Sequence, residues 1–311
     1  MRASVSVVIA TRNRAQYLAQ AIDSIRAQSV CSEIEIVVVD DCSDDETEDV
    51  IRKFGNSLRY MRTRRQVERG KARNLGVELA TTPIVAFLDS DDRWMQNKLE
   101  RQLNAAGAIS TTAITLIDHK GATLGLTLRP QSDPELRIAR CNPFPALPST
   151  LVMPRQLFLE LGGFPETREV QGSEDWVFAA RILKMGHAVF AIGETLVEYR
   201  VHATNSSRNA NHVERSMWEA VRLLEREALI HPTDVSLAKA YTSLTIANHY
   251  GRDGNWLKTV EWLRSARRHS AGVHVRENHL IAVRSALVLG KFVARRMGVS
   301  PNEPKKGPRQ T

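Results

Sequence analysis

The apolar positions of the first part of the chain fall into two alternating kinds of run. Val5–Ala10, Ile34–Val39 and Ile84–Leu88 are short and almost wholly apolar, the pattern of strands buried on both faces. Pro83 bars helix entry behind the last of them. Leu18, Ile22 and Ile25 recur at helical spacing within Ala15–Gln28. Glu46–Phe54 predicts a second helix, which Ser43 or Asp44 can cap. Leu58–Met61 predicts a short third strand, and Arg69–Ala80 a third helix. Such alternation predicts a parallel sheet with helices on both faces. Ligands of such sheets bind at the carboxyl ends of the strands. Asp40-Asp41 and Asp89-Ser90-Asp91 both follow strands, so they are expected to share one crevice.

Further along, Asn97–Ala108 reads as a helix, and Ala113–Asp118 and Thr123–Leu128 as strands around a His119-Lys120-Gly121 turn. Leu128–Pro148, rich in proline, reads as loop with one short helix. A strand over Ser149–Met153 and a helix over Arg155–Leu161, closed by Gly162-Gly163, come next. Asp175–Met185 reads as a helix stopped by Gly186, and Ala188–Ile192 and Leu196–Val201 as strands. From about Ala210 to about Met297 helical periodicity takes over. Ala238–Tyr250 and Trp256–His269 predict an antiparallel helix pair that resembles a single tetratricopeptide unit. One copy is not an array, so a helical C-terminal appendage is expected. The expected organisation is a domain over 1–207 (halves of about 1–110 and 111–207), a helical region over 208–298, and a disordered tail over 299–311.

Composition narrows the function classes. The chain has 42% hydrophobic and 25% charged residues, as soluble globular proteins do. A net charge of +8 points to an anionic partner: nucleotide phosphates, nucleic acid or an acidic membrane surface. Cys31, Cys42 and Cys141 form no Cys-x-x-Cys pattern, so free thiols in a reducing compartment are expected. Met1–Val5 carries no signal-peptide apolar region, and no apolar run is long enough to span a membrane. The expected location is the cytoplasm.

The chemistry concentrates where Ile84–Leu88 stops at Asp89, Asp91 and Asp92. Carboxylates this close repel one another and are costly to desolvate. A divalent cation removes both difficulties, and hard oxygen ligands suit Mg²⁺ or Mn²⁺ held together with a substrate phosphate.

Four strings carry a resemblance: Val5-Ser6-Val7-Val8-Ile9-Ala10-Thr11-Arg12-Asn13-Arg14, Val38-Val39-Asp40-Asp41-Cys42-Ser43-Asp44-Asp45, Gly70-Lys71-Ala72-Arg73-Asn74-Leu75-Gly76 and Phe87-Leu88-Asp89-Ser90-Asp91-Asp92. In this order and spacing they resemble a family 2 glycosyltransferase of the non-processive bacterial type. Gly162-Gly163-Phe164-Pro165, Glu174-Asp175-Trp176 and Tyr199-Arg200-Val201-His202 resemble that family's later motifs, so the likeness covers roughly Ser4–Ser207. It implies an α/β GT-A fold, a Rossmann-like mixed sheet, with the helical C-terminus added.

It also implies a division of labour. Ala10, Thr11, Asn13 and Asp41 would hold the nucleoside, with the Asp41 carboxylate reading a base imide N–H. That favours a UDP-sugar, with a dTDP-sugar second. Arg73, Asn74, Asp89 and Ser90 would lie at the ribose and diphosphate. Asp91 would hold a Mg²⁺ or Mn²⁺ cofactor, with His202 near it. Asp175, beside Glu174, would be the general base that deprotonates the hydroxyl of a glycan or lipid-linked acceptor. A single displacement of this kind inverts the anomeric configuration. The expected setting is bacterial cell-envelope polysaccharide synthesis.

Two departures matter. The chain lacks the Gln-x-x-Arg-Trp motif and the membrane spans of processive synthases. Cys42 stands where the family usually has glycine or asparagine.

Other readings are weaker. A sugar-nucleotide nucleotidyltransferase needs a glycine-rich loop after the first strand, and Thr11-Arg12-Asn13-Arg14 has no glycine. A non-catalytic scaffold or nucleic-acid binder would not need both Asp91 and Asp175, and aromatic-basic interleaving is missing, so no nucleic acid is expected. In the C-terminal helix Arg284, Lys291 and Arg295 share one face. That stripe fits either a solvated edge of a packing helix or peripheral contact of 280–297 with an anionic membrane.

Overall fold

The computed structural model describes residues 4–29, 33–104, 109–128, 138, 140, 148–271, 273 and 275–296. Val5–Thr11 (β1), Ile34–Asp40 (β2), Arg59–Arg62 (β3) and Ile84–Phe87 (β4) pair in parallel in the order β3-β2-β1-β4. Thr11 sits opposite Asp40, so the carboxyl ends of β1 and β2 align. Helix Ala15–Arg26 (α1) buries Leu18, Ile22 and Ile25, the face its spacing predicts, against Val5, Val7 and Ile9. Thr47–Arg52 (α2) packs beside it through Ile51. Arg69–Leu79 (α3) covers the other face, where Val77 packs with Val8 and Val37. It lies close because residue 76 is glycine: a Cβ there would come within 2.3 Å of Val8 Cγ1.

The second half makes the sheet mixed. Ile109–Ile117 (β6) and Val152–Pro154 (β8) run antiparallel, and β8 is antiparallel to β4. Val189–Arg200 (β9) is parallel to β6 and antiparallel to the two-residue strand Arg93–Trp94 (β5). Thr123–Leu128 (β7) returns from β6 as the expected hairpin.

Three expectations change here. The two strands predicted at Ala188–Ile192 and Leu196–Val201 are one strand, because register shifts opposite Thr112–Ile114 absorb Gly193-Glu194 without ending the ladder. Ser149 belongs to a 3₁₀ turn, Pro148–Thr150, and not to a strand, since its hydroxyl is taken by Asp92 Oδ2 at 2.6 Å. The helix after Asn97 spans Lys98–Leu103 (α4), shorter than expected. Most of the expected loop over Leu128–Pro148, Cys31, Cys141 and the tail over 299–311 lie outside the described residues.

Arg155–Glu160 (α5) and Glu174–Lys184 (α6) follow β8. Ala210–Arg226 (α7), Val235–Arg252 (α8), Trp256–Ser270 (α9) and Val275–Arg296 (α10) form the helical region. This region is rooted in the sheet domain. Trp176, Val177 and Ala180 of α6 share one apolar cluster with Val213, Met217 and Val221 of α7 and Tyr250 of α8. Trp176 is therefore a packing residue, its indole N–H donating to Ile138 O at 3.0 Å. Helix α10 packs through Ile281 and leaves Val283 and Leu287 exposed. Among the described residues, no helix is long and apolar enough to cross a membrane.

Candidate active site

A crevice of ≈ 340 Å³ opens at the carboxyl ends of β1, β2 and β4. Asp41 lines it as expected, with its own N–H on Thr11 O at 2.8 Å. Its carboxylate accepts the N–H groups of Val67 (2.6 Å) and Glu68 (3.0 Å), which fastens the loop leading into α3. Asp40 does not share the crevice. It is fully buried, accepting from Ser43 Oγ at 2.5 Å and the Tyr60 hydroxyl at 3.1 Å. Asn13 ties the first loop to the second, its Oδ1 accepting Asp44 N–H at 2.9 Å. Asn13, Cys42 and Glu68 all hold positive φ, at 51°, 56° and 73°. Three such residues around one cleft are the kind of backbone strain that gathers at ligand sites. Thr11 Oγ1 is buried in the crevice wall with no hydrogen-bond partner among the described residues.

The three acids after β4 part company. Asp89 Oδ1 accepts from Arg73 Nη2 at 2.6 Å, and its N–H donates to Ser149 Oγ. Asp91 Oδ2 lies 2.9 Å from His202 Nε2 and 3.4 Å from Arg14 Nε. Burial opposes the Asp91 charge, but the His202 hydrogen bond and the Arg14 charge hold its carboxyl below the usual range. His202 Nδ1 lies 3.0 Å from Thr204 Oγ1, and the ring stacks on Tyr17, so the imidazole is held in place. Asp92 is fully buried and points inward, to Ser149 Oγ and Arg200 N–H. Burial, then the charges of Asp91 and Asp89, push its carboxyl well above the usual range. It caps no helix. Asp92 locks the end of β4 to the end of β9, and the buried Arg200 completes the lock through Asp91 O at 2.7 Å.

Behind the crevice Arg73 bridges two acids. Its Nη1 donates to Glu174 Oε1 at 2.7 Å, opposite its bond to Asp89. Burial opposes the Glu174 charge, and Arg69 and Arg73 hold its carboxyl below the usual range. Asp175, next along the first turn of α6, is pushed up to about 7 by burial and then by the Glu174 charge. Asp175 borders a small cavity with Phe164 and Phe178 and does not line the crevice itself. Asn74 does not line the crevice either. Its amide brackets the turn after α5, donating to Phe164 O and accepting Phe164 N–H, both at 2.9 Å. Gly163, at φ +63°, lets that turn approach, since a Cβ would lie 2.6 Å from Asn74 Oδ1.

The structure thus brings Ala10, Thr11, Asn13, Asp41, Arg73, Asp89, Ser90 and Asp91 to one cleft, with His202 on Asp91 and Glu174 on Arg73. Sequence reasoning missed Arg14, Arg69 and the segment Thr204–Ser206, which also line it. Arg14 stood inside a motif string. Its contact with Asp91 spans 77 residues and leaves no local signal.

Comparison with known proteins agrees with this geometry. Residues 6–146 match the model of glycosyl transferase family 2. A putative teichuronic acid biosynthesis glycosyltransferase of Bacillus subtilis, TuaG, is 29% identical over 235 residues, 71% of this chain and 88% of that protein. The structure of Staphylococcus aureus TarS 1–349 in complex with UDP superposes with a TM-score of 0.59 at 19% identity, covering 99% of this chain and 95% of that one. The mannosyltransferase PcManGT of Pyrobaculum calidifontis, in complex with GDP-Man and Mn²⁺, gives a TM-score of 0.57 at 20% identity over 96% of this chain and 84% of that one. The fold is that of GT-A glycosyltransferases.

Proposed function

Since this chain belongs to glycosyl transferase family 2 across residues 6–146, we propose that it is an inverting enzyme. It moves a sugar from a nucleoside-diphosphate sugar, a UDP-sugar first, to a hydroxyl of a glycan or lipid-linked acceptor. The observation that carries this reading is the Arg73 bridge. It joins the strand-end acid Asp89 to Glu174, the neighbour of Asp175, which supports a base held beside the donor cleft. An aspartate near pH 7 is matched to removing a hydroxyl proton. Asp175 would take that proton as the acceptor oxygen attacks the anomeric carbon opposite the leaving diphosphate. Thr11, whose buried hydroxyl has no partner among the described residues, and Asp41 would hold the nucleobase. Glu174 stays ionised on Arg73 and positions Asp175.

A divalent cation fits the donor set. Asp91 offers a carboxylate and His202 an imidazole at one point, while no cluster of three His, Cys, Asp or Glu exists among the described residues. A site with so few protein ligands suits Mg²⁺ or Mn²⁺ that shares substrate phosphate oxygens. The ion would supply charge neutralisation on the departing diphosphate. Arg14 and Arg69 supply fixed positive charge in the same cleft.

The kinship with TuaG, named for teichuronic acid biosynthesis, supports a role in envelope polysaccharide. The exposed Val283, Leu287 and Leu289 on α10 support peripheral contact with a membrane carrying the acceptor. A panel of UDP-, dTDP- and GDP-sugars, read as released nucleotide with Mg²⁺ or Mn²⁺, tests the donor assignment. Release from none of them would refute it.

A further inference from the structure

A second groove, of ≈ 830 Å³, adjoins the crevice. Thr204, Asn205 and Ser206 line both, so they form a ridge between the two. We propose that this groove binds the acceptor as an acidic saccharide chain, one carrying phosphate or carboxylate groups, and feeds its end across the ridge. This rests on the glycosyltransferase reading above and names the substrate class.

The charge pattern argues for it. Arg208 and Arg215 line the groove, exposed, and neither forms an ion pair among the described residues. Arg69, on the crevice side of the ridge, likewise forms no ion pair and donates to Ser206 Oγ at 3.1 Å. Several arginines of the sheet domain are matched instead: Arg59 with Glu35, Arg93 with Glu198, Arg181 with Glu227. Arg208 and Arg215, with Arg69 beyond the ridge shared between Glu174 and Ser206, make a track for anions, because guanidinium recognises phosphate and carboxylate in two-point geometry. Asp253, the carboxylate that lines the groove, is engaged by Arg252 at 3.6 Å.

The remaining lining suits a saccharide. Asn209, Asn211 and Asn255 present amides and His212 an imidazole, while the buried Tyr250 hydroxyl is taken by Asn211 Oδ1 and Glu214 Oε2. His212 Nδ1 lies 3.4 Å from Arg215 Nη2. The groove also receives the N-termini of two long helices, α7 and α9, capped by Asn209 and Asn255. Their dipoles add positive potential. The α7 wall is fixed relative to the base. Ser216 Oγ lies 3.1 Å from Ser173 Oγ, and His212 packs against Gly172, where a Cβ would come within 2.8 Å of Nε2. Both contacts fall on the segment that leads directly into Glu174-Asp175.

The test is a binding titration of the full-length protein with labelled oligomers of equal length. The probes are oligogalacturonate, a phosphorylated malto-oligosaccharide, a neutral malto-oligosaccharide and poly(U). One or both acidic saccharide probes should bind, and the stronger of the two identifies the anion. The double substitution Arg208→Gln/Arg215→Gln should weaken that binding by about tenfold or more. UDP affinity, read on the same sample, confirms that the double variant is folded. Three results would overturn the proposal: equal binding of the neutral oligomer, poly(U) binding as tightly as the best saccharide, or unchanged affinity in the double variant. Acidic probes that fail to bind while UDP still binds would overturn the groove assignment alone. Failure of UDP to bind would instead strike at the donor crevice.

Discussion

Glu174 and Arg73 stand 101 positions apart in sequence and meet at 2.7 Å in the interior. Arg73 is 4% exposed and Glu174 3%. A buried pair of this kind is costly to break from one side, since the partner is left as an uncompensated charge. Arg73→Met is expected to destabilise the protein by about 3–5 kcal/mol in denaturant melts. Arg73→Met/Glu174→Met should recover part of that loss, and a double-mutant cycle measures the coupling.

The Asp91–His202 contact leads to a metal prediction. His202→Ala should weaken Mn²⁺ binding in the presence of UDP by about 10–100-fold, read by calorimetry. Asp91→Ala should leave no measurable metal-dependent UDP binding. Retention of wild-type Mn²⁺ affinity in either variant would remove that residue from the metal site.

Asp175 predicts pH behaviour of both rate and stability. With a carboxyl near 7, the base is increasingly protonated below that value, so transfer should fall about tenfold per pH unit on the acid side. The stability sign follows from linkage. The folded carboxyl sits above the unfolded value of 3.8, so the native state binds the extra proton between those values and stability falls as pH rises through the window. Asp175→Asn should therefore raise Tm at pH 8 and leave it nearly unchanged at pH 4.

Cys42 holds φ +56° in a loop of the crevice. An L-residue there carries roughly 1–2 kcal/mol of strain that glycine avoids. Cys42→Gly should be tolerated and should raise the unfolding midpoint slightly, offset by the greater backbone freedom of glycine in the unfolded chain.

Contact of α10 with a membrane is open to a direct check. Val283→Glu/Leu287→Glu changes exposed positions without touching the Ile281 packing. The wild type should float with anionic vesicles and the double variant should not, while equal recovery of the two would exclude this helix as the contact.

The sequence made the first half of the fold legible because each strand there is a short apolar run ended by a polar loop, and each helix buries a single stripe. Val189–Arg200 was harder: Gly193-Glu194 reads as a break, and only the facing strand shows that the ladder continues. The two residues of β5 carry no pattern at all. In the site, acids at strand ends could be placed from the chain alone, but their orientation could not. Asp92 and Asp40 have the same local context as Asp91 and Asp41, yet point inward to Ser149 and Tyr60. Arg73 read as a phosphate ligand, while its two acid partners come from residues 16 and 101 positions away.

In the proposed mechanism the Asp89–Asp91 cleft holds the donor while Asp175 drives its transfer. The direct measurement is nucleotide release from the preferred nucleotide sugar by wild type and Asp175→Asn, with donor affinity determined on the same samples. The variant should keep near wild-type affinity while its rate falls by about 10²–10⁴-fold. A variant that binds the donor and turns it over at the wild-type rate would contradict this mechanism.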